Sequence, residues 1–279
     1  MSASNPAVRG AAIELAAAGG DPSVAALIDV AVADSSPLVR GGGAAALAFS
    51  PGEATIARLS EMMNDSDAWV RGKATAALGN MGAESAGVLI PILISGIESG
   101  DPEVVAGGVS ALGGLGQVQL RGLVLDKLRF PDAFVRVAAM WAAAELADQG
   151  DPRDVLSGVA GLLRDQDMHV RLEAARLLGG FASETSVISL ANVVNDPSLE
   201  MRLEAIRQLG NTGMPSVFSV LMTLVEDPLL AARLAAIDAM RPMASPAFLP
   251  DLESALTRAP DAETAAAINS LIVQIQTGG

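Results

Sequence analysis

The 279-residue sequence has no cysteine, no tyrosine and a single histidine, and only 3% of it is aromatic. Without cysteine there can be no disulfide and no thiolate metal site, a usage compatible with the cytoplasm, where the chain is expected to reside. Catalysis requires a nucleophile with its base, paired carboxylates in a pocket, or a set of metal ligands. The lone His169 supplies none of these, so no catalytic residue, metal site or cofactor is expected. Positive charge is scarce too: 18 Lys and Arg face 32 Asp and Glu, and the formal net charge of -14 would repel a phosphate backbone. Nucleic acid is therefore excluded as a partner. At 18% charged residues the chain is also no solvated acidic tail. The longest strongly apolar run, Val88 to Ile97, is broken by Pro91 and is too short to span a bilayer, and MSASNPAVRG lacks the basic start and apolar stretch of a secretory signal. Membrane insertion is not expected.

What is abundant is small and apolar: half the residues are hydrophobic, alanine above all, and there are 28 glycines. Small side chains favour helices packed closely on helices. The segment DQDMHVRLEAARLLG (165–179) joins an acidic turn, a Val-Arg step and a short helix, and it recurs. Aligning Arg171 with Arg9, Arg40, Arg71, Val105, Arg136, Arg202, Arg233 and Ala265 gives spacings of 31, 31, 34, 31, 35, 31, 31 and 32 residues. A fixed period of this size marks a solenoid. The expected units are 5–18, 21–49, 52–80, 84–116, 117–147, 152–181, 184–212, 214–243 and 246–276, a half repeat followed by helix pairs, all in one domain, 1–279. Asp-Pro at 21, 101, 151, 196 and 227 separates helices, and Gly79, Gly113, Gly179 and Gly210 are expected to terminate second helices as C-caps.

Inside the second helices, the position three after the aligned Arg reads Ala12, Gly43, Ala74, Gly108, Ala139, Ala174, Ala205, Ala236 and Ile268. Four places on come Leu47, Leu78, Leu112, Leu178 and Leu209, on the same face one turn later. Both columns are expected in the core. The triplet Gly41-Gly42-Gly43 lacks the Gly-Lys-Ser/Thr of a phosphate loop and fits close helix packing better.

Asp precedes Arg by six residues at Asp34/Arg40, Asp65/Arg71, Asp165/Arg171, Asp196/Arg202 and Asp227/Arg233. On the segments 65–79, 165–179 and 196–210 that carry this step, the chain resembles the HEAT-like repeat of the phycobilisome-lyase type, along essentially its whole length. The resemblance implies an all-α, right-handed α-solenoid of about eight and a half stacked helix pairs of ~31 residues. It also implies an Asp-Arg ladder tying successive turns together, a structural role that suits an arginine in need of pairing. It says little about activity, because such repeats serve unrelated tasks. An iron hydroxylase of this type uses His-Glu pairs, and none occurs here; bilin lyases and isomerases share the repeat, which leaves that activity as the alternative. Ser99 and Val105 replace the Asp-Arg pair in the fourth unit, and Phe130 stands where Asp would precede Arg136. The glycine-rich stretch 99–116 thus reads as a hinge or as a unit held by apolar contacts alone.

The remaining face of the second helices holds the candidate binding residues. Position −2 reads Ala7, Leu38, Trp69, Glu103, Phe134, His169, Glu200, Ala231 and Glu263, and position +5 includes Trp141, Arg176 and Arg207. In HEAT-like folds these helices line the concave side, so Leu38, Trp69, Phe134, Trp141, His169, Arg176 and Arg207 are the expected partner-binding residues. Leu38, Phe49, Trp69, Phe134 and Trp141 would form an apolar half over a floor of Gly42, Ala45, Ala76, Gly107 and Ala138, followed by a charged half with Glu173, Arg176, Glu200, Glu204 and Arg207. Two competing placements are local: Trp69 and Phe134 folded onto neighbouring turns, and Arg176 and Arg207 paired with Glu173 and Glu204. The expected function is a non-enzymatic scaffold or adaptor that binds a protein segment, with a basic partner favoured by the acidic balance. The last helix, with Ile268, Leu271, Ile272, Val273 and Ile275, adds homo-oligomerisation as a further expectation.

Overall fold

The computed structural model describes residues 5–21, 23–147 and 151–278, which are helical throughout with no strand among them. Pro22, the proline of the first Asp-Pro step, lies outside the described residues. Two compact units divide the chain, Met1–Val155 and Leu156–Gly279. The first holds α1 (Pro6–Ala18) and the pairs α2 (Val24–Ala31) and α3 (Pro37–Leu47), α4 (Glu53–Met62) and α5 (Ala68–Gly79), α6 (Ala86–Glu98) and α7 (Pro102–Gly114), and α8 (Arg121–Asp126) and α9 (Ala133–Ala147). Helix α10 (Arg153–Leu162) crosses the boundary. The second unit continues with α11 (Met168–Gly180), α12 (Glu184–Ala191) and α13 (Leu199–Asn211), α14 (Val217–Met222) and α15 (Leu230–Ala239), and α16 (Leu249–Thr257) and α17 (Ala262–Thr277). Each unit is a stack of helix pairs, the α-solenoid arrangement, in which second helices pack mainly on second helices.

Local chemistry sets the helix starts. Asp67, Asp101, Asp167 and Asp261 accept hydrogen bonds from backbone N–H groups in the first turns of α5, α7, α11 and α17. Each such cap is worth about 1 kcal/mol. The residue before the aligned Arg then turns inward: Val39, Val70, Val135, Val170 and Met201 are fully buried. So are Ala74, Ala139, Ala174, Ala205, Ala236 and Ile268, and the leucine column is buried one turn later. Ala12 is exposed, because no helix covers that face of α1 among the described residues.

The glycines of the second helices are contact points. A methyl group added at Gly42 would stand 2.5 Å from the backbone of Gly10, and at Gly107 it would stand 2.7 Å from the carbonyl oxygen of Gly72. The triplet points three ways: Gly41 lies under the Trp69 ring, Gly42 against α1, and Gly43 against Ala31 and Val32. The expected C-caps need correction for the same reason. Gly79, Gly113, Gly179 and Gly210 are inside their helices without positive φ, pressed on Ala111, Ala142, Gln208 and Ala239 of the next second helix. Left-handed backbone occurs instead about three residues later, at Gly82, Gly116 and Gly213.

The aligned arginines bridge consecutive repeats. Arg40 donates through Nη1 to the carbonyl oxygen of Asp34, 3.0 Å away, and bidentately to the carboxylate of Asp65 at 2.8 and 2.7 Å. Asp65 in turn accepts from the N–H of Asp67 at 2.8 Å, which fixes the next turn. The partner six residues upstream is thus met through its backbone, and the carboxylate met belongs to the following repeat. This explains Phe130: Arg136 bonds its carbonyl oxygen at 2.9 Å, for which the side chain is irrelevant. It also corrects the expected gap in the fourth repeat. Arg71 reaches Asp101, the cap of α7, at 3.1 and 2.5 Å, and the rung survives two residues downstream of Ser99. Arg233 does the same with Asp261, the cap of α17. Residues 104–109 are buried without a break, and with the Arg71–Asp101 rung in place 99–116 is not held by apolar contacts alone. Arg171 differs: it bonds the Asp165 and Gln166 carbonyl oxygens and the Met168 sulfur, with no bond to Asp196.

The last helix spends most of its apolar residues internally. Ile268, Leu271 and Ile272 are buried in the second unit, leaving Val273 exposed and Ile275 half-buried. No helix among the described residues is long and apolar enough to cross a membrane.

Two stability measurements test this packing. Gly42→Ala should destabilise by about 1–3 kcal/mol, read as a lowered urea midpoint, since backbone must move. Gly161→Ala, where a methyl meets open space on the exposed face of α10, should instead stabilise by about 0.5–1 kcal/mol; equal effects would refute the close-approach account. For the ladder, the Arg40 hydrogen bonds hold the Asp65 carboxyl below its usual range. A depressed folded-state pKa gives stability that is present above the ordinary value near 4 and is lost as pH falls through the folded-state value. Asp65→Asn should therefore flatten the acid limb of the stability profile below about pH 4, and an unchanged limb would remove the rung from the account.

Candidate functional site

On the uncovered face of the first unit, three successive second helices present Trp69, Glu103 and Phe134 from the same register position. Trp69 sits in the first turn of α5, and its indole lies over α3 because Gly41 leaves the space: a methyl there would be 2.0 Å from the ring. The ring is still 39% exposed, and the Lys73 ammonium one turn later stands 5.6 Å from its centroid. Trp69 therefore combines the local placement with partial exposure. Phe134, in the first turn of α9, is 57% exposed, and the N–H of its backbone is held by Asp132 at 2.8 Å.

Between these two rings lies a cleft of about 210 Å³, lined also by Gly72, Lys73, Ala76, Glu103, Ala106, Gly107 and Ser110. Its depth follows from the close α5–α7 approach at Gly72 and Gly107. Gly107, like Gly42, is buried between helices and is not itself an open floor; Ala45, Ala76 and Ala138 are half-buried. Glu103 is half-buried at the rim, and burial, followed by the nearby Asp101 and Asp132 carboxylates, raises its pKa. Column position alone marked Glu103 as a face residue, but its place between two aromatics is what makes it part of the cleft.

The remaining candidates are dispersed. Leu38 and Trp141 are each 44% exposed, and neither lines the cleft. His169, Arg176 and Arg207 belong to the second unit. His169 is exposed at the start of α11, with its backbone N–H bonded to Asp167. Arg176 pairs with Glu173 and, at 3.3 Å, with Glu204; Arg207 pairs with Glu204 at 2.8 Å. Glu204 is buried and also accepts from Gln208 at 2.8 Å, so it is the centre of a network joining α11 to α13. Sequence spacing showed the contacts three residues apart but not the interhelical one. Among the described residues, no three His, Asp or Glu side chains gather as metal ligands.

With this geometry in hand, the comparisons with other proteins bear on the fold. Among solved structures, the Escherichia coli protein YibA is similar over 90% of this chain and 92% of its own, at 18% identity with a TM-score of 0.61. Human deoxyhypusine hydroxylase in complex with glycerol is similar over 95% and 98% of the two chains, at 18% identity with a TM-score of 0.40. The CpcE–CpcF phycocyanin lyase complex of Nostoc sp. is similar over 89% and 93%, at 16% identity with a TM-score of 0.44. No curated protein sequence matches. The model of HEAT repeats matches residues 1–79 and 189–272, more than half of the sequence. Together with stacked helix pairs on a period of about 31 residues, this match identifies the chain as a member of the HEAT-repeat family.

Proposed function

We propose that this HEAT-repeat chain is a non-catalytic scaffold or adaptor that binds a segment of a partner protein on the uncovered face of its second helices. The observation that carries this reading is the pair of exposed rings, Trp69 and Phe134, walling one cleft. The chain has so few aromatics that both tryptophans and this phenylalanine standing in solvent is a poor use of apolar area unless a partner covers it. The cleft, at about 210 Å³, is smaller than the roughly 300–1,000 Å³ of small-molecule sites. It suits one side chain of a protein segment better than an extended tetrapyrrole. The second unit contributes less to this reading, since Arg176 and Arg207 are already engaged by Glu173 and Glu204.

Capture of partners from the native host by the purified chain is the direct test, with Phe134→Ala and Trp141→Ala as parallel baits. Each truncation should weaken the captured complex by about 1–2 kcal/mol if that ring is an anchor. Affinity unchanged by both would refute the face. Incubation with free bilins should leave the protein colourless; a stable visible absorbance band would favour the lyase or isomerase reading instead.

A further inference from the structure

The Glu103 carboxylate is half-buried at the cleft rim, yet no hydrogen-bond donor or ion-pair partner reaches it among the described residues. Its surroundings are acidic. Asp101 and Asp132 lie close and Asp67 contributes in the same sense, while Arg71, which acts in the opposite sense, is engaged by Asp101. Lys73 is directed at the Trp69 ring and makes no ion pair with Glu103. An uncompensated carboxylate beside two aromatic faces is a complementary site for a cation, since ring faces attract positive charge and the carboxylate supplies its counter-charge.

We propose that the cleft seats a lysine or arginine side chain of the partner segment, its methylenes between Trp69 and Phe134 and its charged head at Glu103. This assignment rests on the scaffold reading and deepens it. The Lys73 ammonium over the Trp69 ring shows that a cation settles on this face already within the chain. A long basic side chain fits the cleft because its stem is apolar and its tip polar. The formal net charge of -14 steers a basic segment toward the protein in the first place. Burial and the neighbouring Asp101 and Asp132 disfavour the ionised form of Glu103, and an arriving cation relieves that penalty.

The test uses the full chain carrying Trp141→Phe, which leaves Trp69 as the sole tryptophan and its fluorescence as the reporter. The probes are a terminally blocked amphipathic peptide of leucine and lysine and a leucine–glutamate peptide of equal length. The lysine peptide should shift the Trp69 emission, and the glutamate peptide should not. Glu103→Gln, which removes a disfavoured charge and should fold at least as well as the parent, should weaken lysine-peptide binding roughly tenfold. Glu253→Gln, an exposed acidic position in the second unit with the same change in net charge, should leave affinity as in the parent. Equal affinities for Glu103→Gln and Glu253→Gln, or equal binding of the two peptides, would overturn the assignment. If Phe134→Ala abolishes binding while Glu103→Gln does not, the cationic occupant falls and the apolar cleft of the scaffold reading stands. Native-host capture indifferent to both Phe134→Ala and Trp141→Ala would sink the scaffold reading itself.

Discussion

Backbone-to-backbone approach between consecutive second helices is the constraint on which the rest of this molecule depends. Where Gly42 meets Gly10 and Gly107 meets the Gly72 carbonyl, no side chain separates one helix from the next. Contact this close lets dispersion act between the helices along their length, which is how a core poor in aromatics reaches interior packing density. It also fixes the reach between repeats, so that an arginine at the head of one second helix can span to the turn that opens the next. The ladder exists because the seam is narrow.

The ladder has its own logic. Arginines of the ladder meet a backbone carbonyl in their own turn and, in most repeats, a carboxylate in the following one, and that carboxylate also accepts a backbone N–H of the following turn. Turn geometry and repeat spacing are thereby joined through one guanidinium, whose planar set of donors can serve both partners at once. A carboxylate at a slightly different place in the turn can serve equally, provided it caps the helix. Asp101 and Asp261 do this in the two repeats whose aligned position, Val105 or Ala265, holds no arginine. Pairing in both directions tolerates local departures that a strict motif would count as failures.

Much of this was legible in the sequence because it is periodic. The 31-residue beat, the inward alanine and leucine columns and the Val-Arg step each repeat enough times to separate pattern from accident. The direction of the Asp-Arg pairing was not legible, because a spacing of six within one segment conceals a bond to a residue 25 or 30 positions away. The glycines near the helix ends were misread for a related reason. Glycine satisfies either a left-handed backbone or a close approach, and only the neighbouring helix, Ala111 against Gly79 for instance, distinguishes them. Of the candidate face, the register that placed Trp69 and Phe134 on one side was readable, whereas the cleft between them required the depth set by Gly72 and Gly107.

The same demand for small residues that closes the core also shapes the cleft. Glycine at 41 lets the Trp69 indole lie back on α3 instead of standing free, which limits its rotational freedom and leaves it partly exposed to solvent. A ring held in this way loses little conformational entropy when something packs against it. The gap that follows, at the position where the next helix carries Glu103 in place of a third aromatic, is then walled on two sides and charged on the rim. A continuous row of aromatic rings would give a sticky strip with no discrimination among apolar partners. An interrupted row, with an unpaired carboxylate at the break, penalises any apolar segment that would bury Glu103 without answering its charge, and so selects among partners by what they bring to that one position.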